Sequence, residues 1–214
     1  MEIIGQLASS LGQRDEKPNQ LLAQKISEAG DKKAVKELVK HLGHKDKNIQ
    51  SDCIKVLDEI SQASPGLVAP YAHELIALLD SRNNRLQWGA MTALHAIAGE
   101  EPDRIARALP KIIAVADAGS VITNDHCVGI LIELCHVKKY AVDAFALLNE
   151  CLLKSPVNQL PMYAEQALAV IDDSNRKVFI KTLSLRLNDI EKESKRARVE
   201  KVLKKLQSTA AGKK

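Results

Sequence analysis

Apolar positions along this chain recur with two nested spacings. Within a segment they fall three and four apart. Ala34, Leu38, Val39 and Leu42 share one side of a helix, and so do Ile49, Cys53, Val56, Leu57 and Ile60. Polar residues fill the opposite side, the signature of an amphipathic α-helix. Between segments the same positions return every 37 residues. One column reads Leu57, Leu94, Leu131, Leu168, and a second reads Ile60, Ile97, Leu134, Ile171. A column of small residues reads Cys53, Ala90, Cys127, Ala164, and a fourth reads Val56, Ala93, Ile130, Ala167. A period of this size marks stacked supersecondary units, each burying its apolar face against the next. No stretch alternates at period two for long enough to predict a strand.

Breakers separate the stripes at Gly30-Asp31, Gly43, Ser64-Pro65-Gly66, Gly99, Gly119-Ser120 and Ser155-Pro156. Loops this short make successive helices antiparallel. The pattern predicts an all-α chain, a right-handed α-α superhelix (an α-solenoid) of about six antiparallel helix pairs in a single domain over 1–207. The pairs lie near 1–30, 31–63, 64–99, 100–137, 138–173 and 174–207. The first pair fits the register loosely through Leu21, Leu22 and Ile26. The last returns after 35 residues as Val199, Val202, Leu203 and Leu206. Terminal units of an array differ because they close an open apolar edge. Residues 208–214 are expected to form a disordered basic tail.

The unit Leu38…Leu42–Asp46–Ile49–Cys53…Leu57–Ile60 recurs as Leu75…Leu79–Asn83–Leu86–Ala90…Leu94–Ile97. This resembles HEAT and HEAT-like (armadillo-type) repeats. The resemblance covers the second to fifth pairs and thins at both ends. Such repeats usually carry Arg just after the aliphatic residue that opens the second helix. Here those positions hold Gln50, Gln87, Asn124 and Pro161, so the usual Asp–Arg ladder is absent. The resemblance implies a non-enzymatic scaffold or adaptor that displays a ridge of second-helix side chains to a protein partner.

With the inward columns known, the ridge can be read. It runs through Asn48, Ser51, Lys55 and Asp58, then Arg85, Trp88, Thr92 and His95, then Ile122, Asp125, Gly129 and Ile132, then Gln159, Met162 and Gln166, with Tyr163 beside them. Trp88 is the single tryptophan and stands where other repeats have Ser51, Asp125 and Met162. Flanked by Arg85, it has the composition of an interface hot spot; packing between repeats is the other reading of the same residue. The partner-binding set expected from this ridge is Arg85, Trp88, Thr92, His95, Asp125, Met162 and Tyr163.

Charge adds a second candidate surface. The net charge of +4 conceals an acidic excess before Ser174 and a basic excess after it. Lys192, Lys195, Arg196, Arg198, Lys201, Lys204 and Lys205 alternate with Glu191, Glu193 and Glu200 in the last helix. This reads as a solvated capping helix or as a basic docking strip. Nucleic acid is therefore the second partner class. Some HEAT-like solenoids are alkylpurine DNA glycosylases, and Trp88, Asp125 and Arg85 would stand at the site if this chain were of that type. With aromatics only 3% of the residues, a series of base-stacking platforms is excluded.

Chemistry beyond this is sparse. His41 and His44 have helical spacing for two metal ligands, but nothing completes a site, so neither metal nor cofactor is expected. His126-Cys127 and Cys135-His136 set a thiol beside an imidazole, yet neighbours in sequence point about 100° apart on a helix. Cys53, Cys127, Cys135 and Cys151 form no C-x-x-C pair and read as reduced thiols, which places the chain in the cytoplasm. No apolar run is long enough to span a membrane. An apolar face would also allow a homodimer.

Overall fold

The computed structural model describes residues 3–211. Every regular element among them is helical. The chain divides into two compact units, Met1–Ile130 and Leu131–Lys214.

The first unit contains α1 (Lys17–Ala29), α2 (Lys32–Lys40), α3 (Lys47–Ala63), α4 (Pro65–Val68), α5 (Ala72–Leu78), α6 (Asn84–Ala96), α7 (Pro102–Ala118) and most of α8 (Val121–Cys135). Here α2 pairs with α3 and α5 with α6, while α1, α3 and α6 stack side by side and α5 meets α7. The result is two layers, second helices in one and first helices in the other. The turns start helices as the sequence suggests: Asp31 accepts from the amides of Lys33 and Ala34, Asp46 from Asn48 and Asn83 from Arg85. The second unit contains α9 (Ala141–Lys154), α10 (Leu160–Ala167), α11 (Arg176–Leu187) and α12 (Glu193–Ala211). There α9 packs on α11, and α12 covers α10 and α11.

The repeating columns are the core. Leu57, Leu94 and Leu131 are fully buried, as are Ile60, Ile97 and Leu134, and the small and fourth columns are closed throughout. Leu168 and Ile171 are the exceptions, both partly exposed. After Ala167 the helix tightens into a 3-10 turn, Leu168–Val170, which swings later positions out of register. Asn175 fixes that ending, its Nδ2 donating to the Val170 carbonyl at 2.9 Å.

Where the Arg ladder is missing, amides act instead. Gln50 Nε2 donates to the His44 carbonyl at 2.7 Å, Gln87 Nε2 to Leu79 at 3.0 Å, and Asn124 Nδ2 to Ala116 at 2.9 Å. Each satisfies a carbonyl at or just past the end of the preceding helix, a group that has no intrahelical partner. In the second unit Arg186 does this for α9, reaching the carbonyls of Leu152, Leu153 and Ser155 at 2.6–2.9 Å while paired with Asp189.

Two elements differ from expectation. The first helix of the opening pair is only a 3-10 turn, Ile3–Gln6. The next amides are taken by side chains: Ala8 N–H goes to Asn19 Oδ1 at 2.9 Å and Ser9 N–H to Asp52 Oδ2 at 2.8 Å. Asn19 is itself buried and donates to Asp52 Oδ1, so this network closes the array's edge. The first helix of the third pair is broken into α4, a 3-10 turn Ala69–Tyr71 and α5, because Pro70 has no N–H to continue it. At the far end α12 runs on to Ala211, into the stretch expected as tail; 212–214 lie outside the described residues.

Leu94→Ala should destabilise the first unit by about 2–5 kcal/mol, whereas Leu168→Ala should cost the second far less. Gln87→Ala, which orphans the Leu79 carbonyl, should cost about 1 kcal/mol. Urea unfolding of the three variants checks the order.

Candidate functional site

Trp88 sits in the second turn of α6, and its position is set by the residue after it. A Cβ at Gly89 would lie 2.5 Å from Ile54 Cγ1 of α3. Only glycine lets the two helices approach so closely. Ile54 is thereby buried under the α6 backbone, and Trp88 remains partly exposed beside it. Ile54, Gly89, Trp88 and Ile122 line an open groove of about 340 Å³.

Charged groups close one side of this groove. Lys55 Nζ lies 2.8 Å from Glu59, 3.6 Å from Asp58 and 3.7 Å from Glu16. Burial works to lower the Lys55 pKa, but the bond to Glu59 and the charges of Asp58 and Glu16 outweigh it, so the ammonium is held more firmly than usual. Asp58 is also raised, but there the shift disfavours the charge: burial lifts its carboxyl above the ordinary value despite Lys55 and Gln62. Arg85 is loosely held, 3.9 Å from Glu16 and largely exposed.

Beyond Trp88 runs a polar chain. Thr92 Oγ1 lies 3.1 Å from the Trp88 carbonyl and 2.9 Å from His126 Nε2. His126 Nδ1 lies 3.2 Å from His95 Nδ1. A hydroxyl has one proton to give. With it donated to the Trp88 carbonyl, Thr92 accepts from His126 Nε2–H, and His126 Nδ1 accepts from His95 Nδ1–H. That assignment requires neutral His126. Burial and then the His95 charge push His126 down to about 4, against the opposing effect of Asp125. Gly129 makes room for the pair, since a Cβ there would fall 2.2 Å from the His95 ring.

Five of the seven expected ridge residues lie in this unit, four of them together on α6. Arg85 and Trp88 line the groove with Thr92, and His95 lies one turn further along. Asp125 is partly buried next to His126, and the residue α8 contributes to the groove is Ile122. Met162 and Tyr163 belong to the second unit. Met162 is partly exposed, but Tyr163 is 1% exposed and presents no surface. Its column explains this. Asp52, Gly89 and His126 occupy the equivalent positions, and each meets a neighbouring helix, at Asn19, Ile54 and His95. Asp58 and Ile132, expected outward, are buried as well. Ile54, Gly89, Glu16 and His126 were not among the expected site residues. Only Gly89, a glycine in the middle of a helical stripe, carried a signal in the sequence.

The basic last helix is partly occupied by its own unit. Arg198 grips Glu165 at 2.8 and 2.5 Å, Arg196 pairs with Glu200 at 3.2 Å, and Lys195 bonds Asn158. Glu165 is lowered by the Arg198 bond. Lys192, Lys201, Lys204 and Lys205 are exposed. Two of the thiols are poor nucleophiles: burial pushes Cys53 up to about 12 and Cys135 to about 11. His44 Nδ1 accepts the Asp46 amide at 3.0 Å, a turn role. Among the described residues no cluster of three metal-binding side chains occurs, and no helix is long and apolar enough to cross a membrane.

No protein-family model and no curated protein sequence matches the chain. Solved structures do. A designed armadillo repeat protein in complex with the peptide (KR)4 aligns with a TM-score of 0.63 at 16% identity, covering 94% of this chain and 97% of its own. A computationally designed armadillo repeat protein for modular peptide recognition aligns at 0.61 and 16%, with the same coverage. An engineered protein aligns at 0.61 and 20%, covering 97% and 98%. The chain therefore has the all-α repeat fold of the armadillo/HEAT type.

His126 generates a pH prediction. Its folded value lies below the ordinary imidazole value of 6.5, so the unfolded chain takes up the proton first. Stability due to the neutral ring is complete above about pH 6.5 and is lost as pH falls toward 4. Melting curves should show the His126→Gln variant losing less stability than the parent across that window; parallel curves would contradict the assignment.

Proposed function

We propose that the first unit is a non-enzymatic docking module that holds a peptide segment of a protein partner in the groove beside Trp88. The observation that carries this reading is a partly exposed tryptophan on the wall of an open groove with an apolar floor. The side chain is amphipathic and costs little entropy to order, and such residues dominate binding energy at interfaces. The surroundings are already organised. Gly89 fixes the floor, and Lys55 is held by three carboxylates, so little rearrangement opposes binding. The armadillo-type fold supports the same mode, since two structures it resembles are designed for, or bound to, peptides. Four cysteines in thiol form support a reducing compartment such as the cytoplasm.

Because the chain has one tryptophan, its fluorescence reports on the groove directly. Peptides selected from a random library against the purified protein should shift Trp88 emission on binding. Trp88→Ala should weaken them by about 2 kcal/mol or more, roughly thirtyfold, while leaving helical circular dichroism unchanged. Selected peptides that leave the emission and the variant's affinity unaltered would place docking elsewhere.

A further inference from the structure

Trp88 and Arg85 stand between two depressions. On one side is the groove with Ile54 at its base. On the other is an open notch of about 620 Å³, which Lys47, Arg82, Arg85 and Trp88 line together with amide and hydroxyl side chains. No carboxylate lines this notch. Lys47, Arg82 and Arg85 are all exposed.

Glu16 reaches Arg85 at 3.9 Å from the groove side, and the acids nearest in sequence have partners of their own. Asp46 accepts the Asn48 amide at 2.8 Å as the cap of α3. Asp80 is bound to Lys111 at 2.6 Å. The notch also lies at the N-terminal ends of α3 and α6, neither of which has an acidic residue in its first turn. The cap of α6 is the neutral amide of Asn83. The positive end of α6, capped by a neutral amide, thus adds to three cations, while the Asp46 carboxylate offsets that of α3. The unit as a whole carries a slight excess of acidic residues, so this is a local positive island beside the single tryptophan.

Resting on the docking reading above, we infer that the partner is an acidic peptide segment: an apolar residue seats against Trp88 in the Ile54 groove, and a neighbouring carboxylate enters the notch between Lys47, Arg82 and Arg85. The juxtaposition of an apolar slot and a cationic notch on the two sides of one tryptophan selects that pairing. A nucleic acid would need phosphate contacts spread over a longer basic track, and an acidic unit with three clustered cations does not supply one.

The test uses the full chain and three labelled probe peptides of equal length, each with a central Leu-Phe pair flanked by Glu, Gln or Lys. Binding is followed by anisotropy and by Trp88 emission, with a single-stranded oligonucleotide as a fourth probe. The Glu-flanked peptide should bind roughly tenfold tighter than the Gln-flanked one, and salt should erase the difference. The double variant Lys47→Glu, Arg82→Glu, altered only at exposed positions, should lose that tenfold and favour the Lys-flanked peptide over the Glu-flanked one. Equal or tighter binding of the Gln or Lys peptide, still dependent on Trp88, overturns the acidic preference and leaves docking standing. An oligonucleotide that displaces the Glu peptide overturns it in favour of nucleic acid. Failure of every peptide to bind or to shift Trp88 emission removes the docking reading itself.

Discussion

The first unit is organised around a contact with no room to spare: Ile54 of α3 against the backbone of α6 at Gly89. Two helices usually stand 8–10 Å apart, at a distance set by the side chains between them. Deleting one Cβ at the crossing draws α6 down onto α3. The buried columns Val56–Ala93 and Leu57–Leu94 close over it. The residue before the glycine then points past the crossing, and that residue is Trp88. The residues that follow, Thr92 and His95, carry the hydrogen-bonded chain that meets α8 at His126. Core spacing and surface display are therefore consequences of one missing side chain.

The architecture was legible because burial is periodic. A helix that must hide the same face in each repeat leaves columns in the sequence, and Leu57, Leu94 and Leu131 lie where those columns put them. The breaks were less legible, because they depend on local backbone chemistry. The opening segment has apolar residues at helical spacing, yet its amides find Asn19 and Asp52, partners distant in sequence. The 3-10 turn at Leu168–Val170 likewise depends on Asn175 reaching back, and nothing in a column of leucines announces that. The missing Arg ladder was visible as a substitution pattern. What replaced it, an amide in three repeats bonded to a helix-ending carbonyl and Arg186 at the end of α9, needed geometry to establish.

The surface shows the same limit. A column assigns a face, and a face has edges. Trp88 and Asp58 belong to ridge columns of the same helix face, but one is partly exposed and the other is 8% exposed. Tyr163 sits in a column whose other members all touch a neighbouring helix. Counting outward positions on one helix cannot reveal this, because the burial comes from the adjacent one. The groove also recruits residues from four segments. Glu16 precedes α1, Lys55 and Ile54 lie on α3, Trp88 and Gly89 on α6, and Ile122 on α8. No spacing rule connects them.

Charge makes the distinction between amount and placement sharpest. The basic excess after Ser174 is the largest in the chain, yet Arg186 caps α9, Arg198 holds Glu165 and Arg196 holds Glu200. Arginines committed to such pairs contribute to packing more than to a field, because each positive charge is matched within a few ångströms. The first unit has an acidic excess, yet it holds three cations in one notch that no carboxylate lines, with Glu16 reaching Arg85 from outside it. A partner approaching within a Debye length responds to the local sign. Net charge by unit alone points the search for a binding surface to α12 and passes over this notch. Accounting for each ion pair brings it to the N-terminus of α6, beside the tryptophan that Gly89 leaves exposed.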